Sequence, residues 1–181
     1  MGPRIGASIA RLMLMNISEY YDEIERLWPK AGQPPSGKVV DVCLRAVVEY
    51  PESSTLWYNL GIAMQRCTED YGYTCRDYLR CFENAVKYDL SNAEAFEELG
   101  YVLDIYFDDY DKAEHAFQKA IEYGAGSDAY FGRARVLAEM GKTDDAVNSI
   151  SENVCPFHDD PEIQKLRSEI LDGSWCPPVS P

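Results

Sequence analysis

The chain has 181 residues, enough for one domain, and 46% apolar against 27% charged residues give it the means to bury a core. Its 17 Lys and Arg against 31 Asp and Glu leave a formal net charge of −14 at pH 7. That balance argues against a nucleic-acid partner, which needs clustered basic residues to meet phosphate, and would steer a basic partner towards the chain.

The stretch from Ile5 to Met15 is apolar, but Arg11 breaks it and it is too short to span a bilayer. No small-x-small cleavage site follows, so residues 1–15 are expected to be a flexible N-terminus or a non-native leader, and the location cytoplasmic. The six cysteines fit that location: there is no Cys-x-x-Cys pair and no His at ligand spacing. Free thiols are the expectation, with Cys43 and Cys81 on buried helix faces. A Cys67–Cys75 disulfide or a metal is the alternative. No metal or cofactor is expected.

From Ile17 to Trp28 the residues Ile17, Tyr20, Tyr21, Ile24, Leu27 and Trp28 recur at three and four, one stripe of an amphipathic helix. Asn16 can cap it, with Glu19 placed to return the bond. A loop containing Pro34, Pro35 and Gly37 follows, then a helix through Val39, Val40, Val42, Cys43, Ala46 and Val47 that closes at Tyr50-Pro51. Ser53 or Ser54 can cap the next helix, which carries Trp57 and runs to about Cys67; its partner runs from about Thr74 to Tyr88. Ser91-x-x-Glu94 predicts a capping box at the head of the third pair. Asp108 and Asp109 mark its turn, and Tyr110 opens a helix ending at Gly124. The fourth pair starts near Ser127 and turns at Gly141, with Thr143 expected to cap its second helix. Asp160-Pro161 starts a last helix through Ile163, Leu166, Ile170 and Leu171, stopped by Gly173. Little fixed structure is expected in the Pro-rich tail, 174–181, although Pro178-x-x-Pro181 could dock as a polyproline helix.

Three of these segments begin alike: Trp57-x-x-Leu60-Gly61, Phe96-x-x-Leu99-Gly100 and, more loosely, Tyr130-x-x-Arg133-Ala134, with first residues 39 and 34 apart. The second helices repeat a small–bulky–small pattern in Ala113-x3-Phe117-x2-Ala120 and Ala146-x3-Ile150. Val39-x3-Cys43-x2-Ala46 and Tyr78-x3-Phe82-x2-Ala85 are partial versions. Self-similarity at a period in the thirties signals stacked repeats.

The pattern resembles the tetratricopeptide repeat family over about Ile17 to Leu171. The resemblance implies an all-α fold, a right-handed α-solenoid of antiparallel helix pairs with three to four repeats and a C-terminal capping helix. The pairs would fall at about 16–51, 54–90, 91–125 and 127–154, with the cap at 160–172, in a single domain of residues 16–173. Tyr78 stands where a small residue is expected, Arg133-Ala134 where Leu-Gly is expected, and Asn153 where Ala is expected. Other α-solenoids built from helix pairs are the competing architecture. In the family pattern Gly61, Gly100 and Ala134 let helices approach, while Trp57, Phe96 and Tyr130 fill the space between pairs.

In this family the first helix of each pair lines a concave groove, so residues of that helix not used by the motif are free to meet a ligand. The second repeat offers Thr55, Tyr58, Asn59, Ile62 and Arg66. The third offers Glu94, Glu97, Glu98, Tyr101, Asp104 and Ile105, and the fourth Asp128, Phe131, Arg135 and Glu139. Ser91 to Tyr130 holds ten Asp or Glu and two Lys, a net of −8, more than half the excess charge of the chain. The acids of the third repeat are either a solvated face near a helix N-terminus or a contact surface for a basic or mixed partner. The clamp that some members use for a peptide carboxylate does not carry over: of its positions only Asn59 is in place.

The second pair departs from the period in its turn. Trp57 to Phe82 spans 25 residues, against 21 from Phe96 to Phe117 and 20 from Tyr130 to Ile150. The excess falls between Thr68 and Thr74, where Asp70, Tyr71 and Tyr73 form an acidic–aromatic tip expected beside the groove entrance. Such loops often carry specificity, yet insertions also cost little stability.

Catalytic constellations are missing from the sequence. His115 and His158 stand apart from any Ser or Cys in a recognisable motif, no Gly-rich phosphate loop occurs, and Asp108, Asp109 and Asp111 lack the alternation of a calcium loop. The reading is therefore a non-enzymatic adaptor or scaffold that binds another protein or peptide, with no membrane and no nucleic-acid partner. A small dedicated chaperone or inhibitor of a secreted bacterial protein is the competing role.

Overall fold

The computed structural model describes residues 15–69 and 71–176. Among them the chain forms helices α1 (Ile17–Leu27), α2 (Gly37–Glu49), α3 (Ser54–Arg66), α4 (Cys75–Tyr88), α5 (Ala93–Phe107), α6 (Tyr110–Glu122), α7 (Ser127–Glu139), α8 (Thr143–Ser149) and α9 (Pro161–Asp172). No strand occurs among the described residues. Each helix packs on the next in chain order, and α7 reaches both α5 and α9, which is the adjacency of an α-solenoid.

Local chemistry sets most helix ends. Asn16 and Glu19 form the reciprocal capping box expected of α1. Ser53, not Ser54, caps α3 by accepting from the Leu56 N–H. The third pair corrects the sequence reading: Asn92 is the cap of α5, accepting from the Ala95 N–H at 2.9 Å. Ser91 is unavailable for that role because its N–H and hydroxyl both donate to Asp89. Thr143 is likewise the first residue of α8, not its cap; the cap position falls on Lys142 and carries no side-chain bond. Asp108 closes α5 in the left-handed region at φ 50°, a conformation an Asp tolerates better than most residues. Asp160 caps α9 with Pro161 in its first turn, and Gly173 ends it at φ 74°.

The core runs along the stack as three clusters. Tyr20, Ile24, Val39, Val40, Cys43, Leu56, Leu60 and Cys81 form the N-terminal one. Phe82, Phe96, Leu99, Val102, Phe117 and Val136 anchor the middle. Trp28 and Met64 touch both, so the two are continuous. Ala134, Leu137, Ile150, Ile163, Leu166 and Ile170 join α7, α8 and α9 at the C-terminal end. In the segment expected to carry little structure, Trp175 packs on this last cluster and its N–H donates to the Glu169 carbonyl.

The small residues work as expected, but against different aromatics. A β-carbon on Gly61 would come within 2.6 Å of the Phe82 ring, and one on Gly100 within 2.9 Å of Phe117. The gaps of the first helices are thus filled by second-helix phenylalanines, while Trp57 and Tyr130 remain half-buried. The Trp57 indole donates to the Pro51 carbonyl at 2.7 Å. All six cysteines are free thiols, and burial pushes those of Cys43 and Cys81 up to about 12.

Candidate partner-binding face

The helices α3, α5 and α7 run side by side with their N-termini at one end. The Asn92 amide donates to the Ser54 hydroxyl where α5 meets α3, and Tyr101 donates to the Asp128 carbonyl at 2.7 Å where α5 meets α7. Further along, Arg66 lies 3.5 Å from Glu98, and Arg135 of α7 bonds Asp104 of α5. These contacts link α5 to α3 on one side and to α7 on the other.

Carboxylates crowd that face. Glu97 is lifted from the ordinary carboxylate value to about 7, first by burial and then by the charges of Asp128, Glu98 and Glu94. Glu98 is also raised by burial, with Arg66 pulling the other way. Tyr58 is pushed up to about 12 by burial and by Glu98 and Glu94. The Tyr101 phenol shifts in the same direction, from burial first and Asp128 next. Tyr101 also meets the Phe117 ring edge-on, with centroids 4.9 Å apart.

The sequence-predicted groove residues differ in exposure. Tyr58, Asn59, Glu97, Glu98, Tyr101, Ile105 and Phe131 are half-buried, while Thr55, Arg66, Glu94 and Asp128 are exposed. Ile62 is only 3% exposed and belongs to the middle core cluster with Phe82. Asp104 is 4% exposed and is engaged by Arg135, so both are parts of the helix–helix contact and not free ligand groups. The Arg135 guanidinium also stands 5.7 Å over the Tyr101 ring, and its Nε is buried with no hydrogen-bond partner.

The swollen turn lies against α2. The Gly37 N–H donates to the Glu69 carboxylate at 3.0 Å, and Tyr71 donates to the other oxygen of that carboxylate. Tyr71 and Tyr73 stack with centroids 5.8 Å apart. Asp70 lies outside the described residues. The turn therefore closes over the N-terminus of α2.

One part of the face was missed by the sequence reading. Between α5, α7 and α9 is an open depression of about 400 Å³, and Asp160, Glu162 and Ile163 of the capping helix help to line it. In the sequence these residues read only as a helix start, and no periodicity connects them with α5.

No metal-binding group of three His, Cys, Asp or Glu occurs among the described residues, and no described helix is long and apolar enough to cross a membrane.

Residues 104–150, from the last turn of α5 through α8, match the model of the tetratricopeptide repeat. No curated protein matches the chain. Solved structures do: a structure of MamA is 19% identical with a TM-score of 0.61, covering 88% of this chain and 81% of that one. YrrB, described as a TPR protein with an unusual peptide-binding site, is 20% identical with a TM-score of 0.57, covering 87% and 79%. A thermophilic TPR protein of Thermus thermophilus, TTC0263, is 17% identical with a TM-score of 0.53, covering 75% and 71%. Identities this low speak for the fold alone. The stacked helix pairs thus share the fold of these tetratricopeptide-repeat structures, and residues 104–150 are similar to the repeat itself.

Proposed function

We propose that the chain is a non-enzymatic interaction module, an adaptor whose α3–α5–α7 face holds a peptide or helical segment of basic or mixed charge. The repeat match at 104–150 and the shared fold support the general part, because tetratricopeptide arrays commonly hold other proteins or peptides. The charge of the ligand rests on one observation. Glu94, Glu97, Glu98 and Asp128 crowd together beside Tyr58 and Tyr101, and burial first, then the neighbouring charges, push the Glu97 carboxyl up to about 7. Arg66 meets Glu98 at 3.5 Å and is itself largely exposed. A cationic segment would relieve that repulsion, and the half-buried rings of Tyr58, Tyr101 and Phe131 would cover its apolar stems. A dedicated chaperone of a secreted protein would use the same face, but no specific feature favours that narrower role.

Titration of fluorescein-labelled oligoarginine tests the reading, with oligoglutamate as the counter-probe. The native chain should bind the first and not the second, and Glu94→Lys with Glu98→Lys should weaken binding while helicity by circular dichroism stays intact. Equal binding by the double variant would sink the acidic-face proposal.

A further inference from the structure

We infer that the bound segment is anchored by an arginine side chain in the depression between α5, α7 and α9, so that the capping helix is part of the binding face. This rests on the interaction reading above and adds the anchor and its seat. The depression has an apolar floor in Tyr101, Phe131 and the fully buried Ile163, and a rim in Asp128, Asp160 and Glu162. Its volume, about 400 Å³, falls within the range of small ligand sites.

The chemistry of the lining selects the occupant. Three carboxylates stand around the opening, and no Lys or Arg is among the residues that line it. Arg135, which stands over the Tyr101 ring, is held by Asp104. The Tyr101 hydroxyl is fixed by its bond to the Asp128 carbonyl, which holds the ring in place as a wall. Asp160 uses Oδ1 on the Glu162 N–H as the cap of α9, which ties the rim to a helix start and away from a loose loop. A side chain that fits needs an apolar stem for the floor and a cation for the rim. Arginine meets both needs, because its planar guanidinium also lies well on aromatic rings.

The test uses the full chain, isotope-labelled for NMR, titrated with N-acetyl-arginine amide and with its neutral isostere N-acetyl-citrulline amide. The arginine compound should move the amide signals of Phe131 and Ile163, and the citrulline compound should not. Asp160→Asn with Glu162→Gln should weaken that response at least about fivefold, as expected for two rim charges. Asn caps a helix as well as Asp does, so α9 should stay folded. Equal shifts from citrulline, shifts confined to Glu94–Glu98, or no shifts would overturn the anchor. Oligoarginine separates the two claims. Binding that needs Glu94 and Glu98 but ignores Asp160 and Glu162 removes the anchor and keeps the acidic face. Absence of oligoarginine binding removes both.

Discussion

The ring of Phe117 fills the space above Gly132 so closely that a β-carbon there would come within 2.5 Å of its Cε1 and Cζ atoms. Phe117 is fully buried on α6 and also lies against Gly100, so one ring sits between the glycines of two successive first helices. The packing of α5, α6 and α7 therefore depends on two missing side chains.

Gly132→Ala should destabilise the chain, although alanine favours a helix over glycine by up to about 1 kcal/mol. Overpacking a rigid ring costs about 1–3 kcal/mol, so a net loss of roughly 1–2 kcal/mol is expected in urea unfolding. Adding Phe117→Leu should recover part of it. A neutral or stabilising Gly132→Ala would show that the ring yields.

Asp104 and Arg135 form a buried pair, with side chains 4% and 13% exposed. Burial raises the Asp104 carboxyl more than Arg135 lowers it, so desolvation outweighs the attraction. Asp104→Ala should cost about 3 kcal/mol, because it leaves a buried guanidinium whose Nε already lacks a partner. Replacing both, as Asp104→Leu with Arg135→Met, should restore most of the loss. Equal midpoints for the single and double variants in chemical unfolding would contradict this account.

Glu97 makes stability depend on pH in an unusual direction. Its folded carboxyl titrates at about 7, above its ordinary value of 4.5, so the folded state holds a proton that the unfolded state has released. The stabilising contribution is full below 4.5 and is lost as pH rises through 7. The melting temperature should therefore fall across that window, and Glu97→Gln should flatten the fall. A cationic ligand should in turn drive Glu97 to release its proton. A Glu97 carboxyl signal titrating at the ordinary carboxylate position would refute the assignment.

Gly37 and Tyr71 give a local test of the swollen turn. A β-carbon on Gly37 would overlap the Tyr71 hydroxyl, at 1.6 Å, but the ring is the far end of a movable side chain. Gly37→Ala should release the turn with less than about 1 kcal/mol of global cost. Hydrogen exchange across residues 67–74 should quicken while that of α3 and α4 stays unchanged. Unaltered exchange in the turn would mean that it is held elsewhere.

Helix positions, the order of pairs and the swollen turn were legible in the sequence because each rests on local spacing: apolar residues at three and four, prolines and glycines at ends, one period against another. Caps were legible only where no neighbour competed. Asn16 and Glu19 matched, whereas Asp89 drew Ser91 away from α5. Which aromatic met which glycine was not legible, since Phe117 reaches Gly132 only after α6 has folded back on α7. The same holds for the candidate face. Spacing put Glu94, Glu97, Glu98 and Tyr101 together on one helix. Only packing between helices committed Arg135 to Asp104, buried Ile62, and brought Asp160 and Glu162 beside Phe131. The sequence alone determined a stack of helix pairs and the acidity of its third repeat, because both are properties of neighbours along the chain. The tertiary structure decided which of those charges stay exposed, because that depends on side chains that meet from different helices.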